Sequence, residues 1–234
     1  MSRFAQVTPG EATWCGHANL PRHRHGQAYA ALVLRGGYEE SGSRGRHRVG
    51  SGQVLLHRRF DAHVDRFAAH GARILNLLLA WQPHFAFGEV ADADAIARLA
   101  QSDAIAASQA LLEQLQPREP RLFDWPDLLA RDLLADTQLR LGPWSERHGL
   151  AAETLSRGFA RVFATSAAAF RVEARVHRAL TVLERGAQPL SAVAATCGFA
   201  DQAHMTRAIT ALTGRPPGHW LRSNSFKTAN RPRS

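Results

Sequence analysis

Cysteine is almost missing from this chain: Cys15 and Cys197 are the only two in 234 residues, and they lie far apart. Two such thiols make neither a disulfide framework nor a four-cysteine zinc cluster, and they suit a reducing compartment. Lysine is rarer still, with Lys227 the single one among 29 basic residues. No apolar run reaches the roughly 20 residues that a membrane-spanning helix needs; the longest, around Ile74 to Trp81, falls far short. The opening residues Met1-Ser2-Arg3-Phe4-Ala5-Gln6 lack the apolar stretch of a secretory signal. These absences predict a soluble, cytoplasmic protein with no membrane partner. Acidic residues are missing locally. Residues 1–140 hold 16 Lys and Arg against 15 Asp and Glu, whereas residues 141–234 hold 13 against 5. A basic part joined to a near-neutral one points to a polyanion partner for the basic part. A GC-rich codon habit accounts for arginine over lysine, but not for the missing acids.

What is present can bury a sizeable core, with 45% hydrophobic and 21% charged residues. The length suits one large domain or two ordinary ones. Residues from about 27 to 82 read as strands: Ala28 to Leu34, broken by Gly36-Gly37, then polar Arg44 to Gly52, Val54 to Leu56, and Ile74 to Ala80. Short strands between glycine-rich turns predict a small barrel or sandwich. From about Asp92 the period turns helical. Ala93, Ile96, Ala97, Leu99 and Ala100 form one stripe, and Ala104, Ala107, Leu111 and Leu115 another. Gln116 to Arg121 reads as a turn or linker, and Trp125 to Leu139 as a helix striped by Leu128, Leu129, Leu133 and Leu134. Gly142-Pro143 opens the next segment, with proline in a tolerated first turn. A long helix follows, striped by Val172, Val176, Ala179, Leu180 and Leu183 and capped by Gly186. The expected fold class is α+β. It comprises a small β-barrel over 1–90, a helical connector over 91–140 whose stripes can pair in a homodimer, an all-α domain over 141–222, and a basic disordered tail over 223–234.

The all-α part contains an internal echo. A helix-turn-helix needs a short helix, a tight turn that often holds glycine, and a second helix with one free face for the major groove. Trp144 to Leu150 fits the first helix and turn; Leu155, Phe159, Val162 and Phe163 stripe the second. About fifty residues later Leu190, Val193 and Ala194 stripe a short helix, Cys197-Gly198-Phe199 turns, and Asp201 offers an N-cap. Met205, Ala208, Ile209 and Leu212 then form the buried stripe, ended by Gly214 and Pro216-Pro217. The free faces carry Glu153, Thr154, Ser156, Arg157 and Arg161 in the first unit and Gln202, Ala203, Thr206 and Arg207 in the second. Arginine reads guanine edges bidentately and glutamine reads adenine, so these nine residues are the candidate DNA-binding set. Two units on one rigid helix can enter successive major grooves, roughly 34 Å apart. The bland alternative is a helical bundle with solvated polar side chains.

Residues 141–222 resemble the DNA-binding domain of the AraC/XylS family of bacterial transcription regulators. Gly198-Phe199-Ala200-Asp201-Gln202-Ala203-His204-Met205-Thr206-Arg207 resembles the family signature in the second unit. Gly214-Arg215-Pro216-Pro217-Gly218-His219-Trp220-Leu221-Arg222 resembles its closing Gly-x-x-Pro-x-x-aromatic-x-Arg pattern. The resemblance implies a seven-helix domain, promoter DNA and RNA polymerase as partners, activation or repression, and a separate sensing or dimerising domain. There are departures. Ala151-Ala152 stands where the family often has Ser-Pro, forgoing roughly 1 kcal/mol of capping. Met205 and Ile209 replace common aromatics, and Ala203 a commonly polar residue. Glu153 can accept from cytosine N4 or simply repel phosphate.

Eight of the twelve histidines lie in the first 84 residues. His23-Arg24-His25 before a strand, Gly36-Gly37, then Gly52 ahead of an apolar strand with His57 and His63, resemble a cupin-type barrel, the sensor of many AraC-type regulators. The resemblance implies a ligand site at His23, His25, His57 and His63, for a divalent metal or a small-molecule effector. His23 and His25 are two apart, so on a strand they share a face, and an imidazole pair with a third ligand suits zinc, nickel or iron. Two features depart from the cupin pattern. Its later histidine should fall near Leu55, two residues before His57, and its acid at Ala28 to Ala30, where there is none; Cys15 and His17 are upstream candidates to replace it. The alternatives are a barrel whose histidines are plain surface or core residues, and a cupin-type metal-binding protein or metalloenzyme with an accessory DNA-binding domain. No catalytic residue is expected. A DNA-repair alkyl-transfer protein would need a cysteine-rich zinc site that Cys15 and Cys197 cannot build. A module binding protein partners through basic helices is the remaining rival.

Overall fold

The apolar run in 29–34 alternates between two destinations. Ala30, Leu32 and Leu34 join one buried cluster, whereas Tyr29, Ala31 and Val33 join another. Period two puts successive side chains on opposite faces of a strand, so a strand covered on both faces reads as a continuous apolar run. The computed structural model describes residues 4–80, 84–186 and 188–221. In it the first part of the chain forms one antiparallel sheet of eight strands. They are β1 (Gly10–Trp14), β2 (Asn19–Arg24), β3 (Tyr29–Gly42), β4 (Gly45–Gly50), β5 (Gln53–His57), β6 (Ala62–Leu78), β7 (Phe87–Glu89) and β8 (Gln116–Pro117).

Two long strands organise this sheet. The first half of β3 pairs with the second half of β6, through Tyr29↔Leu78 to Val33↔Ile74, and β5 and β1 flank that pair. The second half of β3 pairs with the first half of β6, through Tyr38↔Phe67 to Gly42↔His63, and β4 and β2 flank that one. The two leaves thus share bent strands and enclose a common core, giving the small open barrel expected. Gly36-Gly37, expected from sequence to break the strand, bends it instead. Gly36 has φ +73°, and the register slips on either side of it. A Cβ at Gly36 would lie 2.1 Å from the Gly71 carbonyl oxygen, so only glycine permits this bulge. β1 and β2 lie before the strand region expected from about residue 27, and the start of β6 is polar.

Helices α1 (Ala93–Ser102) and α2 (Ala104–Gln114) start at aspartate caps: Asp92 accepts from the Ala95 amide, and Asp103 from those of Ile105 and Ala106. Their residues Ile96, Ala97, Ala107 and Leu111 complete the cluster around Leu32, Val54, Leu56 and Leu75. The α2 stripe expected to pair between chains is therefore covered within one chain. The stretch expected as linker supplies β8, which pairs with β7 through Gly88↔Pro117 and Glu89↔Gln116.

Six further helices follow: α3 (Trp125–Ala135), α4 (Leu141–Arg147), α5 (Ala152–Phe163), α6 (Ala167–Arg185), α7 (Leu190–Thr196) and α8 (Gln202–Thr213), with a helical turn at 217–221. The chain divides into two compact units that change over between Asp127 and Leu128. The connector expected over 91–140 does not form a domain of its own: α1 and α2 join the sheet, and α3 carries the chain from one unit into the next. α3 stops at Ala135 instead of Leu139, and two α6 arginines hold the released backbone. Arg175 donates to the Thr137 carbonyl at 2.9 and 2.7 Å, and Arg171 to that of Leu139 at 2.8 Å. Leu129 and Leu133 of α3 are fully buried, so its stripe is also largely covered. None of the described helices is long and apolar enough to cross a membrane. Arg222 and the basic tail expected over 223–234 lie outside the described residues.

Candidate nucleic-acid interface and the histidine-lined cavity

In the first helix-turn-helix, α4 and α5 are anchored by large buried rings. Trp144, Phe159 and Phe163 are fully buried, beside Leu155 and Val162. The Trp144 indole donates to Asp132 Oδ2 at 2.9 Å, and His148 stacks on its ring at 3.8 Å. Phe159 meets Phe170 of α6 edge-on, with centroids 5.4 Å apart. Gly149 makes the turn at φ +61°. Ala151 stands at the cap position, where its carbonyl accepts from the Leu155 amide, but its side chain has no atom to cap with. On the opposite face Glu153, Thr154, Ser156, Arg157 and Arg161 are all exposed. Arg157 pairs with Glu153 one turn back at 3.4 Å, with both side chains about three-quarters exposed. A pair this exposed is worth about 0–1 kcal/mol, so the guanidinium leaves it for another anion at small cost.

The second helix-turn-helix repeats the plan. Val193 and Ala194 of α7, Cys197 and Phe199 of the turn, and Met205, Ile209 and Leu212 of α8 are buried. Gly198 turns at φ +80°, and a Cβ there would press on Arg175 and Gln138 at 3.2 and 3.3 Å. Asp201 caps α8, accepting from the His204 amide at 2.6 Å. Gly214 closes it in the left-handed conformation. Gln202, Ala203 and Arg207 are exposed and Thr206 is half-buried. Between the two units runs α6, 19 residues and so roughly 28 Å long. Arg171 and Arg175 show what charge counting misses, since they serve backbone carbonyls within the domain.

In the sheet, a cavity of about 430 Å³ opens between the leaves. Trp14, Leu20, Phe67 and Ile74 give it apolar walls, and His23, His25, His63, Glu40 and Asp65 a polar floor. Three of the four histidines expected from sequence line it; His57 lies behind the floor with Glu40, His47 and Asp61. Pairing of β2 with β6 sets His23 opposite His63, with ring centroids 4.2 Å apart. His25 is 4.8 Å from His23, and His57 is 4.8 Å from His63. Nδ1 of His23 lies 2.9 Å from the Pro21 carbonyl and Nδ1 of His25 lies 3.0 Å from that of Ala5. Donation there fixes the tautomer and leaves each Nε2 a free lone pair, as in metal-ligating histidines.

Neither Cys15 nor His17 lines the cavity. The carboxylates near the histidines are Glu40 and Asp65, which the sequence did not flag; the bend of β3 delivers Glu40 from the far half of that strand. Burial governs the ionisation here. It holds His25 down to about 4 and His57 to about 3, helped by neighbouring histidines and Arg44, and His63 well below its usual value. Burial lifts Asp65 to about 7, and burial with Asp65 and Asp61 nearby lifts Glu40 well above the usual carboxylate range. The floor thus presents neutral imidazole nitrogens beside carboxyls that resist ionisation.

Residues 144–223 match a protein family described as a helix-turn-helix domain. A comparison with curated proteins finds no match. Among solved structures, a probable AraC family transcriptional regulator from Rhodopseudomonas palustris is 23% identical, spanning 41% of this chain and 93% of its own, with a TM-score of 0.39. The C-terminal domain of AraT, a response regulator from Geobacillus stearothermophilus, is 19% identical over 44% of this chain and 88% of its own, with a TM-score of 0.41. ToxT from Vibrio cholerae is 7% identical over 91% of this chain and 98% of its own, with a TM-score of 0.42. The matched family span takes in both helix-turn-helix units. Residues 144–223 therefore carry a helix-turn-helix domain.

Proposed function

We propose that this protein regulates transcription by binding promoter DNA sequence-specifically, with α5 and α8 in successive major grooves. The observation that carries this reading is the repeated division of faces: twice, a largely buried apolar stripe backs a largely exposed polar one on the second helix of the motif. Arg207 and Gln202 read base edges from α8, and Arg157 reads from α5 once released from Glu153. Thr154, Ser156 and Thr206 hydrogen-bond bases or phosphates, Glu153 accepts from cytosine N4, and Ala203 offers its methyl to thymine. Arg161 grips phosphate, as do the amides at the start of α5 and α8.

In the same reading the barrel is the sensor. An effector enters the cavity over His23, His25 and His63, with His57 behind them. The signal leaves through β4, where Arg46 holds Asp127 in the first turn of α3, the helix that continues into the second unit. RNA polymerase and a second copy of the chain are its further partners.

Selection from a random duplex library, followed by anisotropy titrations at several salt concentrations, tests this. We expect an enriched site with two half-sites about 10–10.5 base pairs apart. We also expect affinity for it to be at least about 10³-fold above that for random duplex. Equal affinity for all duplexes would leave only a non-specific polyanion binder, and no salt-dependent binding would remove the DNA reading altogether.

A further inference from the structure

We infer that the barrel holds a divalent first-row transition ion, zinc in the first instance, between Glu40 of β3, His57 at the end of β5 and His63 of β6. One donor atom of each lies within 4.8 Å of the others, and all three residues are buried. Glu40 Oε2 and His57 Nε2 are 3.5 Å apart. That is long for a hydrogen bond. It is close to the ligand-to-ligand edge of about 3.4 Å that bonds of about 2.0–2.1 Å make in a tetrahedral zinc site. His57 Nε2 and His63 Nδ1 are buried without a hydrogen-bond partner. Buried polar atoms are almost always satisfied in native proteins, and orphans mark a water or ion that completes them. Asp65 Oδ2 stands 3.7 Å from the other ring nitrogen of His63, the side from which a carboxylate orients a ligating imidazole.

The donor chemistry agrees. Two neutral imidazoles and a carboxylate suit zinc, and also ferrous iron or nickel. A dication beside Glu40 offsets the cost of keeping that carboxylate ionised among Asp61 and Asp65. A neighbouring position shares His63: His23, His25 and His63 also offer donor atoms within 4.8 Å of one another. It is built from neutral imidazoles alone, and His23 is half-exposed. The inner position is preferred because the carboxylate and the unpartnered His57 nitrogen are there. An ion at that point ties three strands together beneath the cavity and fixes its floor. This inference is independent of the DNA-binding reading, since it concerns only the barrel.

Metal-free full-length protein, purified without a histidine tag, is titrated with Co²⁺ and then with competing Zn²⁺. We expect one equivalent of cobalt, a visible spectrum of tetrahedral intensity, displacement by zinc, and a raised thermal midpoint. Glu40→Gln and His57→Gln should each weaken cobalt binding by at least about ten-fold, while the His23→Gln/His25→Gln double variant keeps it. Absence of cobalt binding overturns the inference. So does the reverse pattern, in which the double variant loses the ion and the inner variants keep it. X-ray absorption at the zinc edge of the wild-type protein decides the matter if a variant fails to fold: two imidazole ligands support the inner position, and three overturn it.

Discussion

Arg207 and Gln202 stand on the exposed face of α8 while Met205 and Ile209, between and beside them, are fully buried. Side chains that do not support the core are free to meet another surface, and on that ground the pair is proposed to read bases. Replacing either residue with alanine should cost about 1–3 kcal/mol on the best site and relax preference at the base it reads. Arg161→Ala should instead weaken all duplexes alike, as loss of a phosphate contact does. Anisotropy titrations on a panel of single-base variants of the selected site separate the two behaviours. Unchanged affinity and preference in both α8 variants would withdraw α8 from the interface.

At the scale of the element, the second helices of the two motifs, α5 and α8, differ at the cap residue before them. Asp201 gives α8 a side-chain cap at 2.6 Å, whereas Ala151 gives α5 only its carbonyl. An N-cap of serine, threonine, aspartate or asparagine is worth about 0.5–2 kcal/mol over alanine. Ala151→Ser should therefore raise the unfolding free energy by about 1 kcal/mol, and Asp201→Ala should lower it by a similar amount, both measured by urea denaturation. Equal and negligible effects would mean that tertiary packing alone fixes where these helices begin. The buried stripes make that a fair contest, since most helix stability in proteins comes from the packed face.

At the scale of the whole molecule, one buried ion pair stands at the point where the chain leaves the sheet. Arg46 of β4 meets Asp127 through two bonds of 2.9 Å, one to each carboxylate oxygen, and also reaches Asp124. Asp127 accepts from the Phe123 amide as well, fixing the entry to α3. Removing one partner of a buried pair leaves an uncompensated charge and costs about 3–5 kcal/mol, whereas replacing both by apolar residues costs far less. Asp127→Ala should accordingly destabilise the full chain more than the Arg46→Met/Asp127→Leu double variant does, as read by chemical denaturation. If the sensor signal leaves through β4, the double variant should also uncouple DNA affinity from cavity ligands. Equal stability of the two variants would mean that leaving Arg46 buried without Asp127 carries no penalty.

The helical half was legible because its information is local. Stripes at helical spacing, turn glycines at 149 and 198, the Asp201 cap and the stops at Gly186 and Gly214 all act within a few residues, and the structure keeps each of them. The nine candidate DNA-binding residues could be chosen from the same stripes by exclusion. The β half was legible only as a class. Sheet pairing is non-local, so nothing near Gly36-Gly37 announces that β3 continues through it, because the reason is the Gly71 carbonyl lying against it. The start of β6 hid behind His63, Asp65 and Arg66, since a strand with two of its polar residues buried at a cavity floor breaks the expected alternation. Sequence by itself determined a basic double helix-turn-helix domain behind a histidine-rich small barrel, because periodicity, caps and composition suffice for that. Only the tertiary structure decided that α1 and α2 complete the sheet's core, that Arg171 and Arg175 serve the domain's own backbone, and that Glu40 meets His57 and His63. Those contacts depend on where a bent strand returns, and that is set by pairing across tens of residues.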